Sequence, residues 1–262
     1  MKHLSSDSQI SESSWTGLFR IGAMAALVVV LAFTADIIIS FEGGDFNPAA
    51  LTATDWFGLF QENWLAGLRA LGLINVISLS VSVPLYLAIF AACRQRYQEY
   101  ALLVLLVYLL GAAVYISNNA AIPMFVLSGK YAQAATEVQR NILAGAGEAV
   151  LAKGADFAPG SFVGFFLTEL AGIGFSVLML GNKVFGKATA VAGILGFVLL
   201  SVFTIWSTFF PVNFEISMLV ASVGGLSSVL WYLLVSRSLF KIGRSHSAAG
   251  AVLFDIESPP AG

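Results

Sequence analysis

The sequence predicts an all-α integral membrane protein: a six-transmembrane-helix bundle with an amphipathic helix in its second extracytoplasmic loop. Three observations predict it. Hydrophobic residues fill 58% of the 262 positions and charged ones only 11%, against roughly 25% charged in soluble domains. Mean hydropathy is +0.86. The apolar residues also gather into runs that match the roughly 20 residues a helix needs to cross a hydrocarbon core of about 30 Å. Such runs can only be helices, because unpaired backbone amides are too costly in lipid and a barrel would show alternation along short strands.

Residues 1–16 are a polar tail. The lead KHLSSDSQISESSW is long and mixed in charge, and the first span, about residues 17–41, stays apolar to Ile39. Both features favour an uncleaved helix over a signal peptide. The loop EGGDFNPAALTATDWFGLFQEN carries Asp45, Asp55 and Glu62 among aromatics. It reads either as a short segment lying on the membrane or as a solvated turn with apolar anchors. The second and third spans follow at about residues 65–93 and 100–128. Next, Thr136 with Gln139 three residues on matches a capping box, and TEVQRNILAGAGEAVLAKG runs helically to Gly154. Val138, Ile142, Val150 and Leu151 are its docking side chains, and the helix serves as a cover or a lid. Spans four to six occupy about residues 160–181, 184–210 and 211–236, completing a membrane domain over residues 17–238. Residues 239–262 form a second polar tail. Pro84, Pro123 and Pro211 mark kinks or helix starts; the pairs Gly160/Gly164 and Ala221/Gly225 mark packing faces.

Orientation follows from the basic residues. With the N-terminus inside, Lys2, Arg20, Arg94, Arg96, Lys183, Lys187, Arg237, Lys241 and Arg244 fall inside, and only Arg69, Lys130, Arg140 and Lys153 outside. Both termini are thus expected in the cytoplasm, in a cell inner (plasma) membrane. The tryptophans agree, with Trp15 and Trp231 expected near the inner interface and Trp56, Trp64 and Trp206 near the outer one.

Polar residues inside the spans carry the functional signal. Asn118 and Asn119 lie roughly 27 Å from the inner end of the third helix, and Asp36 about 21 Å along the first from Gly22 at its inner end. Asn75 and Glu169 lie roughly 14 to 15 Å below the outer surface. Thr204, Ser207 and Thr208 end the fifth helix on that side, and Asn213, Glu215 and Ser217 begin the sixth. All these groups converge on the outer half. Carboxylates in hydrocarbon are costly, and no Lys or Arg lies deep in a span to neutralise them. Asp36 and Glu169 are therefore expected to be protonated, hydrogen-bonded or bound to a cation. The candidate binding residues are Asp36, Asn75, Asn118, Asn119, Glu169 and Glu215.

Two readings of these groups stay open. In one they bind a small solute or cation, as in a transporter or sensor; in the other they are an interhelical clamp of hydrogen bonds worth about 0.6 to 2 kcal/mol in an accessory membrane component. Enzyme chemistry is not expected. The two histidines, His3 and His246, lie in the tails, the single Cys93 excludes an internal disulfide, and no Gly-rich phosphate loop occurs. No cofactor is implied. The 13 basic and 15 acidic side chains offer no polybasic surface for nucleic acid, leaving the lipid bilayer and a small ligand as partners and the oligomeric state open.

The stretches ISNNAAIPMFVLSGKYAQAATEVQRNILAGAGEAVLA, GFFLTELAGIGFSVLMLGNKVFGKATAVAGILG and WYLLVSRSLFKIG resemble the bacterial membrane-protein family called domain of unknown function 4386. The likeness runs from the first helix to about Gly243 and is concentrated between Tyr115 and Gly196. It implies a six-helix bacterial membrane protein, and it transfers no activity and no functional residues.

Overall fold

The computed structural model describes residues 15–42, 51–210 and 214–257, and among these the chain is all-helical. Its helices are α1 (Thr16–Glu42), α2 (Ala53–Glu62), α3 (Trp64–Ala70), α4 (Leu73–Asn118), α5 (Ala121–Ala132), α6 (Glu137–Gly154), α7 (Pro159–Leu180), α8 (Lys187–Phe209) and α9 (Phe214–Glu257). Five stretches among the described residues are long and apolar enough to cross a membrane.

One of these stretches contains a reversal. A straight helix of 46 residues would reach about 69 Å, more than twice a hydrocarbon core. Instead α4 breaks at Tyr97, whose φ of −138° and ψ of 46° are non-helical. The Tyr86 ring stacks on Tyr108 with centroids 3.7 Å apart, the Tyr108 hydroxyl donates to the Leu79 carbonyl, and Tyr115 sits against Gly72. These pairs are centred close to Tyr97, so residues 73–96 and 98–118 are antiparallel arms.

The long helices then pack in chain order around a closed ring. The first arm of α4 lies on α1, where Gly22 meets Pro84, Leu85 and Ala88; the second lies on α7, where Gly164 meets the Tyr115 backbone. Helix α8 packs between α7 and α9, and α9 closes the ring on α1. A side chain at Gly22 or Gly164 would separate these backbones, which matters because packing rather than the hydrophobic effect joins helices in lipid. The expected packing face at Ala221/Gly225 is shifted by one residue. Gly225 faces open space, whereas Gly224 abuts Leu199 and the Gly196 carbonyl.

The ring encloses an aromatic core. Tyr86, Tyr108, Phe175, Phe197, Trp231 and Tyr232 are all buried there, with Trp231 edge-on to Phe197 at 5.0 Å. Trp231 is thus an interior residue and not the interfacial anchor expected of it. Meanwhile Leu31, Leu103, Leu110 and Leu226 are 57–71% exposed. A girdle of large exposed apolar side chains is the surface that a lipid-embedded bundle requires.

A second, smaller core caps one end of the ring. Trp56, Phe57 and Phe60 of α2, Leu68 of α3, Ala121 and Met124 of α5 and Leu151 of α6 pack together. Helix α2 opens on a capping box between Thr52 and Asp55, and α6 on the expected one between Thr136 and Gln139. Leu151 and Val150 dock α6, but Val138 and Ile142 are 68% and 66% exposed. The third span expected over 100–128 is divided at Asn119, where ψ of 133° ends α4 before α5 begins. Helix α9 continues past the tail boundary expected at residue 238.

Candidate functional site

The polar residues of the capped end form two separate groups. The first is built around a residue that sequence reasoning missed, Asp156, in the linker between α6 and α7. Gly72 starts α4 with φ of 82°, a left-handed conformation that glycine adopts without a Cβ penalty. A Cβ there would overlap the Tyr115 hydroxyl and the Asp156 carboxylate. Three residues on, the Asn75 amide donates to Asp156 Oδ2 at 3.0 Å, and the Tyr115 hydroxyl donates to Oδ1 at 2.5 Å. Asn119 donates to the Leu71 carbonyl at 2.9 Å and to the Tyr115 oxygen at 3.3 Å, while its own oxygen accepts the Ala121 amide. Beside Asp156, Phe157 has a positive φ of 62° and packs on Phe165 and Phe203. A left-handed phenylalanine is unusual, and here the turn leaves Asp156 on the Tyr115 side and Phe157 on the aromatic side.

Asp36 stands near this group with a partner of its own. Arg69 Nη1 lies 3.2 Å from its Oδ1, which corrects the expectation that Asp36 lacks a positive counterpart. Arg69, expected only as an outer charge, is carried by α3 onto the α1 end. Asn118 points elsewhere, donating to the Gly160 carbonyl at 2.8 Å. The Ala120 amide also reaches the Gly154 carbonyl, so the break at Asn119 is tied to the α6–α7 linker.

The second group is the α7–α8 interface. Glu169 is only 8% exposed. Its Oε1 accepts the Thr204 hydroxyl at 2.6 Å, and Ser201 faces the same carboxyl. Its Oε2 is buried with no hydrogen-bond partner, as is the Thr208 hydroxyl. Thr204 and Thr208 are one turn apart on the same face of α8. Thr168, expected beside Glu169, bonds instead to the Phe165 carbonyl of its own helix, and Asn75, expected at its depth, belongs to Asp156. The single convergent pocket expected from the sequence is therefore divided. Glu215 is helical in α9, but its side chain, like the whole of Asn213, lies outside the described residues.

The two groups differ chemically. The Asp156 group is a closed hydrogen-bond network whose carboxylate oxygens both have donors. Glu169 with Thr204 is a half-satisfied pair of oxygen ligands. Oxygen-only donors suit hard cations and ammonium groups rather than thiophilic metals. Among the described residues no three His, Cys, Asp or Glu side chains converge. No family model, no curated protein and no solved structure matches the chain.

Proposed function

We propose that this chain is a multi-pass protein of the inner (plasma) membrane, with six spans and both termini cytoplasmic, that binds a small cation or an ammonium-bearing solute between α7 and α8. The two arms of α4 supply the second and third spans. The basic side chains favour the orientation: Arg94 lies over the Trp15 ring at 4.2 Å, Arg20 adjoins Gly243, and Arg237, Lys241 and Arg244 line the same end. One observation carries the ligand reading, the buried Glu169 Oε2 without a partner. Leaving such an oxygen unpaired costs about 1 to 3 kcal/mol, more for a charged group, and an acid inside a membrane bundle marks a transport or sensing site by default.

A second reading, an accessory membrane component with a polar clamp, is favoured by Asn118 and Asn119. Both donate to backbone carbonyls of other segments, which is how a clamp is built. The two readings divide the candidate residues: the asparagines hold the capped end together, and Glu169 takes the ligand. Thermal unfolding of purified wild type and Glu169→Gln against sodium, potassium, lithium, ammonium and small amines tests this. Stabilisation by one of these solutes in wild type, absent in the variant, is expected. Identical responses, or none in either protein, would leave only the clamp.

A further inference from the structure

At the end opposite the cap, a groove runs along the packed α1–α9 pair, lined by Leu27, Leu233, Ser236, Arg237, Phe240, Lys241 and Arg244. The groove is floored by a tight contact, since Ser236 donates to the Ala23 carbonyl at 2.9 Å. Its two ends differ in chemistry. Leu233, Arg237, Lys241 and Arg244 follow one another at spacings of four, four and three along α9, so they form a single stripe. Leu27 and Leu233, 37% and 42% exposed, wall the end toward the middle of the helices. The three cations, all exposed, occupy the end toward the helix terminus. From Arg237 to Arg244 the stripe rises by about 10 Å, the scale of a phospholipid headgroup and its glycerol.

From this arrangement we infer that the α1–α9 groove is a binding site for one anionic phospholipid, its phosphate on Arg237, Lys241 and Arg244 and an acyl chain along Leu27, Leu233 and Phe240. The charge pattern selects this occupant. A zwitterionic lipid carries its own cation and gains nothing from three more. A free phosphate leaves the leucine wall unused. Basic pockets between spanning helices at the cytoplasmic surface recognise acidic headgroups for this reason. The inference rests on the membrane reading of α1 and α9, but not on a ligand at Glu169 or on which end faces the cytoplasm.

The test is binding of phosphatidylglycerol to the detergent-purified full chain, followed by native mass spectrometry and by thermal stability. Phosphatidylcholine and inorganic phosphate serve as the two alternative probes. Phosphatidylglycerol is expected to bind and to raise the unfolding temperature, with phosphatidylcholine and phosphate much weaker. The variant with Arg237→Gln, Lys241→Gln and Arg244→Gln should bind it about a hundredfold more weakly. Lys130→Gln with Arg140→Gln, at the capped end, should bind it as wild type does. Leu233→Trp keeps every charge and fills the apolar end, so it should weaken lipid binding without creating any response to phosphate. Equal binding of phosphatidylcholine, equal stabilisation by phosphate, or full binding in the triple variant would overturn the assignment. Should the triple variant not fold, the single Lys241→Gln and Leu233→Trp variants carry the same decision. A Glu169→Gln protein should bind the lipid unchanged, which separates this outcome from failure of the ligand site.

Discussion

Replacing Glu169 by methionine removes a buried carboxyl while keeping the length and approximate volume of the side chain. Of the groups around it, the Thr204 hydroxyl donates to Oε1 at 2.6 Å and Oε2 has no partner. Without Glu169, Thr204 can turn back to the carbonyl four residues earlier on its own helix, as helical threonines do. No donor is then stranded, and the unpaired Oε2 is gone. Removing a half-satisfied buried polar group in favour of an apolar one of similar shape is close to neutral or stabilising. Glu169→Met is therefore expected to leave stability within about 1 kcal/mol of wild type, or to raise it. Thr204→Val does the reverse, since it takes the strongest donor from a buried carboxyl, at about 1 to 3 kcal/mol. In the double variant most of that loss should disappear, giving a coupling of about 1 to 2 kcal/mol. Unfolding by titration with a denaturing detergent, read through the buried Trp231, measures all four proteins. A loss of 2 kcal/mol or more in Glu169→Met, on the order of that in Thr204→Val, would mean that the carboxyl holds helices together and would refute the reasoning.

Two further outcomes follow from the capped end. Gly72→Ala forces a left-handed residue, about 1 to 2 kcal/mol, and displaces Tyr115 from Asp156, about 1 more; a loss below about 1 kcal/mol in the same unfolding assay would contradict the geometry at φ of 82°. At the start of α2 the Thr52 hydroxyl, and then its backbone amide, hold the Asp55 carboxyl below its ordinary range. A carboxyl depressed in the folded state stabilises above its unfolded value of about 3.9 and loses that contribution as pH falls through the folded one. Amide protection in α2 should accordingly fall only in acid, and Thr52→Val, which removes the hydroxyl but keeps the backbone amide, should lessen the dependence.

Periodicity and composition made the long helices legible, and local chemistry made the α6 start legible. Thr136 and Gln139 lie three residues apart, and a capping box needs nothing from the rest of the chain. Asp156 escaped because it lies in a short loop, outside the spans along which rise per residue sets depth. Extended to the loop, the same rise would have kept it apart from Asn75, with Asp156 about 6 Å outside the span expected from residue 160 and Asn75 about 15 Å within its own. Val138 and Ile142 failed as docking residues because only the second half of α6 packs down, through Gly147, Leu151 and Gly154. The reversal at Tyr97 agrees with two separate apolar runs, whereas the break at Asn119 inside an apolar run carried no breaker that distinguishes it from a kink at Pro123.

What the sequence determined by itself is the solvent: long apolar runs and few charges leave helices as the only structure that satisfies its own amides in lipid. Positions of polar residues within an unbroken helix were also fixed, because rise per residue is a local property, but Asn75, expected well inside a span starting at 65, stands just after the break at Gly72 that begins α4. Which polar groups meet was decided only by tertiary structure. Depth is one coordinate, and partners also depend on rotation about each helix axis and on which helices are neighbours. That is why Asn75 and Glu169 share a depth on paper yet stand in different networks, one with Asp156 and the other with Thr204. It is also why Asp36, without a cation in its own span, meets Arg69 from another helix.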